Sequence, residues 1–263
     1  MIRALYSAAS GMRAQETNVE NIANNLANAS TVGYKSRRAQ FEDLMYQSVV
    51  QPGTASGQQT VVPTGLQLGL GARTASNELI FTQGAFSETD NPLDIVVQGN
   101  GFFQVQQASG TLAYTRAGQF HLDKSGNIVT LDGDPLVPQI TIPADAQQIT
   151  IASDGTVSYT LPNQTAAQQA GQIQLASFQN PSGLSSIGQN LFTPTDASGD
   201  ATVGNPGGSE GMGSLMQGYV EQSNVSIVNE FINLIQAQRG YEANSKVVTA
   251  ADQMYQNVNQ LSR

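Results

Sequence analysis

Two stretches at opposite ends of the chain carry the same spacing, in which apolar, small or amide residues recur three and four positions apart in alternation. This spacing returns to one side of an α-helix every two turns and is typical of a coiled-coil seam. The N-terminal seam positions are Leu5, Ala8, Met12, Gln15, Val19, Ile22, Leu26 and Ala29. The C-terminal seam positions are Leu234, Ala237, Tyr241, Asn244, Val248, Ala251, Tyr255 and Val258. Further apolar residues widen the second seam, namely Ile227, Phe231, Val247, Met254 and Leu261. The sequence therefore predicts a long helix at each end that buries one face on another helix or on a neighbouring subunit.

A stripe of amides lies one position ahead of the N-terminal seam. Its members are Asn18, Asn21, Asn25 and Asn28. One interpretation is a solvated helix face, although asparagine is a poor helix former and such a face tolerates Lys or Glu better. We favour buried amide hydrogen bonds between packed helices. The amides also weaken an isolated helix, so we expect the termini to be largely disordered until they assemble.

The residues between the two seams change character twice. Residues 34–76 and 200–219 are rich in loop-forming residues, which indicates an extended connector arm. Residues 77–199 contain short alternating strands and turn signals, including a hairpin on Asp154 and Gly155. The predicted fold class is α+β, with a discontinuous coiled-coil domain formed by residues 1–33 and 220–263 and an inserted all-β domain over 77–199. Because both helices flank one insertion, we expect them to pack antiparallel.

Composition excludes several classes of protein. The net charge is −9, and the excess of acidic residues lies in residues 49–210, which contain twelve acidic and three basic residues. The short basic cluster of Lys35, Arg37 and Arg38 is interpreted as ordinary solvation in a connector. No basic patch for nucleic acid is present. There is no cysteine for a disulfide or thiolate site. No run of about 18 apolar residues and no signal-peptide core occur, so we expect no membrane insertion and no cleaved signal peptide.

The search for catalytic or metal-binding residues favours structural explanations throughout. His121 is the only histidine and falls in a predicted strand. Asp132 and Asp134 could be the acid and base of a cell-wall glycan hydrolase, but turn chemistry explains the same residues. Residues 123–127 alternate like calcium ligands without the distal glutamate that such a loop requires. We therefore expect no enzyme activity, no cofactor and no metal site.

Several longer segments resemble a known family. NIANNLANASTVGYK at 21–35 is similar to the motif of flagellar rod and hook axial proteins, and NPLDIVVQGNGFFQV at 91–105 and AYTRAGQF at 113–120 extend the match. The segment 218–256, which begins GYVEQSNV, carries it nearly to the end of the chain. Length near 260 residues and the composition of the arm favour the distal-rod branch over the longer hook proteins and the proximal rod proteins.

The resemblance implies a structural subunit of the flagellar basal body that crosses the periplasm in the distal rod. Such a subunit is exported unfolded by the flagellum-specific type III apparatus and polymerises into a hollow helical shaft, which transmits torque from motor to hook and conducts exported subunits. The terminal helices would line the tube and the β domain would face outward. The implied partners are copies of itself, proximal rod proteins, the hook protein, the peptidoglycan and outer-membrane ring proteins, and the rod-cap and export machinery. A proximal rod or hook subunit remains the nearest alternative, and a glycan hydrolase or a surface adhesin are the alternatives from other classes.

Overall fold

The computed structural model describes residues 2–53, 63–162, 166–208 and 211–261. Within these ranges the chain forms two units. Unit 1 comprises the described parts of Met1–Ala27, Arg37–Leu79 and Ser226–Arg263, and unit 2 comprises those of Asn28–Ser36 and Ile80–Val225. Residues 54–62 of the predicted arm and the side chain of Leu261 lie outside the described residues.

Unit 1 contains the two long helices and a β-hairpin. Helix α1 spans Ile2–Ala27 and helix α2 spans Ile227–Leu261. In the hairpin, β1 (Arg37–Asp43) pairs antiparallel with β4 (Ala72–Leu79), and β2 (Gln47–Val50) pairs antiparallel with β3 (Leu66–Leu68). The described part of the predicted connector is thus mostly paired strand, and it shares a unit with the helices.

The two helices lie side by side and run in opposite directions. Gly11 and Gln15 of α1 lie against Asn244 and Gly240 of α2, respectively. The C-terminal end of α1 lies beside the first turn of α2, since Asn25 Nδ2 donates to Glu230 Oε1 at 3.4 Å. Terminal helices with a mostly β middle region confirm the α+β prediction, whereas the coiled-coil character of the pair stays a prediction.

Helix α1 ends two residues earlier than the seam predicts. Asn28 and Ala29, which we placed on the helix, lie in a turn and belong to unit 2. The Thr31 backbone N–H donates to the Asn28 carbonyl at 3.1 Å, and Gly33 adopts a left-handed φ of 71°. A Cβ at Gly33 would lie 2.6 Å from the Ala117 backbone nitrogen, so glycine is required there. The close approach of the chain to Ala117 therefore overrides the helical spacing.

Unit 2 is built from short β-strands that pair antiparallel. The strands are β5 (Phe86–Glu88), β6 (Ile95–Gln98), β7 (Phe102–Gln106), β8 (Leu112–Thr115), β9 (His121–Leu122), β10 (Ile128–Val129), β11 (Leu136–Val137), β12 (Gln148–Ile151), β13 (Thr156–Thr160), β14 (Gln168–Gln172), β15 (Leu175–Ser177), β16 (Ser185–Gly188), β17 (Leu191–Thr193), β18 (Thr202–Gly204), β19 (Ser214–Gln217) and β20 (Tyr219–Glu221). The last three lie in or beside residues 200–219, for which the sequence predicts an extended arm. The Gly and Ser content of this segment does not indicate strands, because the strands form only by pairing with distant partners.

The largest sheet of unit 2 has the strand order β16-β17-β8-β7-β15-β18, and β11 also pairs with β7. Strands β12, β13 and β14 form a three-stranded sheet, and the predicted hairpin on Asp154 and Gly155 joins β12 to β13. Pairs β19-β6, β20-β5 and β10-β9 complete the unit. Its core is apolar and fully buried, with Ile95, Phe103, Phe120, Leu136 and Leu175 at the centre.

Candidate assembly surfaces

Two residues of the amide stripe join α1 to the hairpin of unit 1. Asn25 Nδ2 donates to the Arg37 carbonyl at 2.9 Å, and Asn25 Oδ1 accepts from the Arg37 N–H at 2.9 Å. Asn21 Oδ1 accepts from Asn77 Nδ2 at 2.8 Å. Both asparagines are buried. The favoured interpretation, amide bonds between helices, was therefore incomplete, because most of these bonds tie a helix to a strand.

The other two amides of the stripe differ from this pair. Asn18 is half-buried on α1. Asn28 lies beyond the helix, where its Oδ1 accepts from Thr31 Oγ1 at 3.2 Å. The stripe thus splits into a buried pair that bonds the hairpin and two flanking residues with other surroundings.

The seam positions are only partly covered within one chain. Four small or branched residues of the seams are buried, namely Ala8, Ile22, Ala237 and Ala251. The half-buried positions are Leu5, Met12, Gln15, Val19, Leu26, Leu234, Asn244, Val248 and Tyr255. Tyr241 and Val258 are exposed. The most deeply buried seam positions are Ala237 and Ala251, each 2% exposed.

Each helix places a glycine opposite an amide of the other. A Cβ at Gly11 would lie 2.7 Å from Asn244 Nδ2, and a Cβ at Gly240 would lie 3.4 Å from the Gln15 side chain. Glycine costs about 1 kcal/mol relative to alanine inside a helix. The close seating of Asn244 on Gly11 offsets that cost with packing, whereas the contact at Gly240 has ordinary van der Waals spacing.

Helix α2 also carries apolar side chains that unit 1 leaves in solvent. Val228, Phe231, Ile232 and Ile235, which we call the ridge, are between 48% and 69% exposed. Ile227, Val247 and Met254, which the sequence pattern assigned to the widened seam, are exposed as well. Contiguous apolar patches of this kind mark interaction sites.

A buried ion pair lies in unit 2, at a residue that sequence reasoning placed in solvent. Lys35 Nζ contacts Glu221 Oε1 at 2.6 Å, and both side chains are fully buried. Lys35 Nζ also donates to the Thr82 carbonyl at 2.8 Å, and the Gly84 N–H donates to Glu221 Oε1 at 2.9 Å. The prediction of ordinary solvation for Lys35 was wrong. Its partner is 186 residues away, so no local pattern could have revealed the pair.

Arg116 extends this charge cluster. Its Nε lies 3.9 Å from Glu221 Oε2, and its Nη2 donates to the Gly99 carbonyl at 2.7 Å. The guanidinium also lies 5.5 Å from the centre of the Phe102 ring. Burial lowers the pKa values of Lys35 and Arg116, and the Glu221 carboxylate opposes both shifts. One carboxylate thus faces two buried cations.

The residues weighed for catalysis lie at the surface of unit 2. His121 is exposed in β9, and Asp132 is exposed in a turn. Among the described residues, no group of three or more His, Asp or Glu side chains could hold a metal ion. In the same residues, no helix combines the length and the apolar character that a membrane crossing requires.

Glu230 gives the helix pair a testable pH dependence. Partial burial raises the pKa of its carboxyl, and the hydrogen bond from Asn25 partly offsets this. The folded unit therefore holds a proton on Glu230 at pH values where the unfolded chain has released it. This contribution to stability is fully present below the ordinary value of 4.5 and is lost as the pH rises through the folded pKa.

We expect Glu230→Gln to remove that loss, because glutamine stays neutral. The free energy of unfolding of the variant should rise relative to that of the unaltered chain as the pH rises above 4.5. This difference should become constant towards neutral pH. Urea unfolding followed by helical circular dichroism at a series of pH values measures it. Parallel pH profiles for the two proteins would contradict the assignment.

Three family models match separate parts of the chain. The model of flagella basal body rod proteins matches residues 5–35, and that of the FlgE/F/G hook protein D1 domain matches 96–159. The C-terminal model of the flagellar basal body rod FlgEFG proteins matches 216–261. These matches cover both helices and part of the β unit, and they define the class of flagellar hook and rod proteins.

Individual relatives show which proteins within this class the chain is similar to. The flagellar basal-body rod protein FlgG of Caulobacter vibrioides is 50% identical over 261 residues, which cover 99% of each chain. The FlgG protein of Buchnera aphidicola from Acyrthosiphon pisum is 49% identical, over 99% of this chain and 100% of its own. That of Bacillus subtilis is 39% identical over the full length of both. The chain therefore belongs to the family of FlgG flagellar basal-body rod proteins, which are structural components of the flagellum.

Proposed function

We propose that the protein is the structural subunit of the distal flagellar rod. In this proposal its copies assemble into a hollow helical shaft that crosses the periplasm, transmits torque from motor to hook and conducts exported subunits. The observation that carries the proposal is the exposed apolar ridge of α2 in a chain whose relatives are rod proteins. An apolar surface of this kind is stabilised when another protein covers it.

The proposal also assigns a separate role to each part of the chain. Residues 1–33 and 220–263, with their seams, provide the polymerisation domain, and the β domain of residues 77–199 faces the ring proteins of the peptidoglycan and outer membrane. Residues 34–76 and 200–219 form the arm. The ends of the shaft contact proximal rod proteins and the hook protein, and the rod cap and export machinery act during assembly.

Electron microscopy of the purified full-length chain tests self-assembly. On concentration, we expect tubular filaments of uniform diameter, because the ridge and the seam residues exposed in one chain become covered by neighbours. Sedimentation at increasing protein concentration quantifies the transition. A chain that stays monomeric at every concentration, in the presence of preformed rod ends as seeds, would contradict the proposal.

The position within the rod needs a separate experiment. Antibody labelling of isolated basal bodies should mark the segment next to the hook. Labelling of the segment next to the inner membrane, or of the hook itself, would instead support the proximal rod or hook alternative. A cell-wall hydrolase would release peptidoglycan fragments, and this release would depend on Asp132 and Asp134.

A further inference from the structure

A groove of about 450 Å³ lies between α1 and the hairpin of unit 1. Its apolar lining includes Ala9 and Ala14 of α1 and Leu44 and Leu70 of the hairpin region. Arg13 and Arg73 also line it. Arg73 already pairs with Glu42 at 2.9 Å, whereas Arg13 has no ion pair among the described residues. The groove is thus an apolar site with one uncommitted cation.

The ridge of α2 points away from α1. Ile235 lies nine positions from Asn244, which packs on Gly11 of α1, and is therefore about 180° around the helix from it at roughly 100° per residue. Because α1 forms one wall of the groove, the ridge of the same molecule faces away from that wall. Another molecule must cover the ridge if it is to be buried.

The dimensions of the ridge and the groove match. Val228 and Ile235 are seven residues apart, or about 10 Å along α2, and the α1 residues that line the groove, Tyr6 to Thr17, span about 16 Å. Glu242 lies a further two turns along α2, where it lines a pocket together with Glu16 and Glu20 of α1, and the described residues provide none of these three carboxylates with an ion-pair partner. An apolar ridge that ends in a free carboxylate suits an apolar groove that contains a free arginine.

We infer that the ridge of one copy docks into the groove of a second copy, with Glu242 directed towards Arg13. This inference rests on the proposed function and names the contact through which the rod grows. The ridge and the groove are different surfaces of the same unit, so the contact is heterologous. Each docking event uses one ridge and one groove and leaves one of each free, which produces an open-ended polymer instead of a closed dimer.

Cysteine crosslinking in assembled filaments tests the contact, because the natural chain has no cysteine. The variants are Ile235→Cys on the ridge, Leu70→Cys in the groove, and the chain that carries both. After treatment with a short bis-maleimide, we expect the double variant to give a ladder of multimers on a denaturing gel. Each single variant should stay monomeric, and an equal mixture of the two single variants should stop at dimers.

A matched control separates a specific contact from proximity along α2. Gln253 is exposed on the same side of α2, about 27 Å beyond Ile235, so Gln253→Cys combined with Leu70→Cys should give no ladder. Dimers from Ile235→Cys alone would show ridge against ridge and would overturn the inference. So would filaments of the double variant that give no ladder.

A photo-crosslinker makes the result independent of how well the cysteine variants assemble. Benzoylphenylalanine at position 235, doped into filaments of the unaltered chain, should attach to peptides that contain Ala9 to Ala14 or Leu70. Attachment elsewhere would overturn the inference and leave the proposed function standing. If the unaltered chain forms no filaments, the proposed function fails, and this inference fails with it.

Discussion

Replacement of Glu221 by leucine is expected to lower the free energy of unfolding of unit 2 by about 3–5 kcal/mol. The substitution leaves the Lys35 ammonium, which is fully buried, without its carboxylate, and removal of one partner of a buried ion pair costs about this much. It also leaves the Gly84 N–H without an acceptor. Urea unfolding followed through the β-sheet signal of circular dichroism gives the value.

Glu78→Leu is the matched control for this experiment. Glu78 belongs to unit 1, where it contacts Arg38 at 3.0 Å, but both side chains reach solvent, so its loss should lower the free energy of unfolding of that unit by about 1 kcal/mol or less. The double variant Lys35→Met with Glu221→Leu should lose less than Glu221→Leu alone, since no ammonium is then left unpaired. Arg116 would keep its bonds to the Val97 and Gly99 carbonyls. If Glu221→Leu and Glu78→Leu lowered the free energy of unfolding equally, the buried ion pair would contribute no more to stability than an exposed one.

Ala237→Asp is expected to abolish assembly and leave unit 2 folded. Ala237 is 2% exposed, and a carboxylate there would be buried without a partner at a cost of several kcal/mol. The helix pair should therefore separate, with a fall in helical circular dichroism and the loss of sedimentable filaments. Unit 2 should keep its unfolding midpoint, because residue 237 belongs to unit 1.

Gln236→Asp provides the comparison at the adjacent position. Gln236 is exposed, so the same new charge stays solvated and the helix pair should persist. If Ala237→Asp assembled as readily as Gln236→Asp, then Ala237 would not lie in a dry contact, and the assignment of the seam would fail.

The helices were predictable from sequence, because a repeated three-and-four spacing constrains many residues at once. The ends of the helices were less predictable. Helix α1 stops at Ala27, and Gly33, which follows it, lies against the backbone at Ala117. A pattern within one segment carries no information about such a distant neighbour. For the same reason the strand Ser214–Gln217, which pairs with β6, was hidden in a loop-like composition.

The candidate assembly surfaces were likewise predictable from sequence only in part. An apolar excess on α2 beyond the seam was evident from residues such as Phe231, and the structure shows that it is exposed. The bonding of Asn21 and Asn25 to strands was not evident, because helical spacing identifies a face but not what lies against it. The charge cluster around Glu221 was out of reach for single-sequence reasoning, since its members come from three distant segments.

The bonds of Asn25 to Arg37 and to Glu230 indicate the order in which unit 1 folds. Its partner Arg37 is 12 residues away, whereas its other partner, Glu230, is 205 residues away. The entropy of loop closure grows with the logarithm of loop length, so the distant contact costs about 2.5 kcal/mol more to form in an unfolded chain. Helix α1 and the hairpin can therefore form early, and α2 is expected to dock last, once unit 2 has folded and shortened the loop between them.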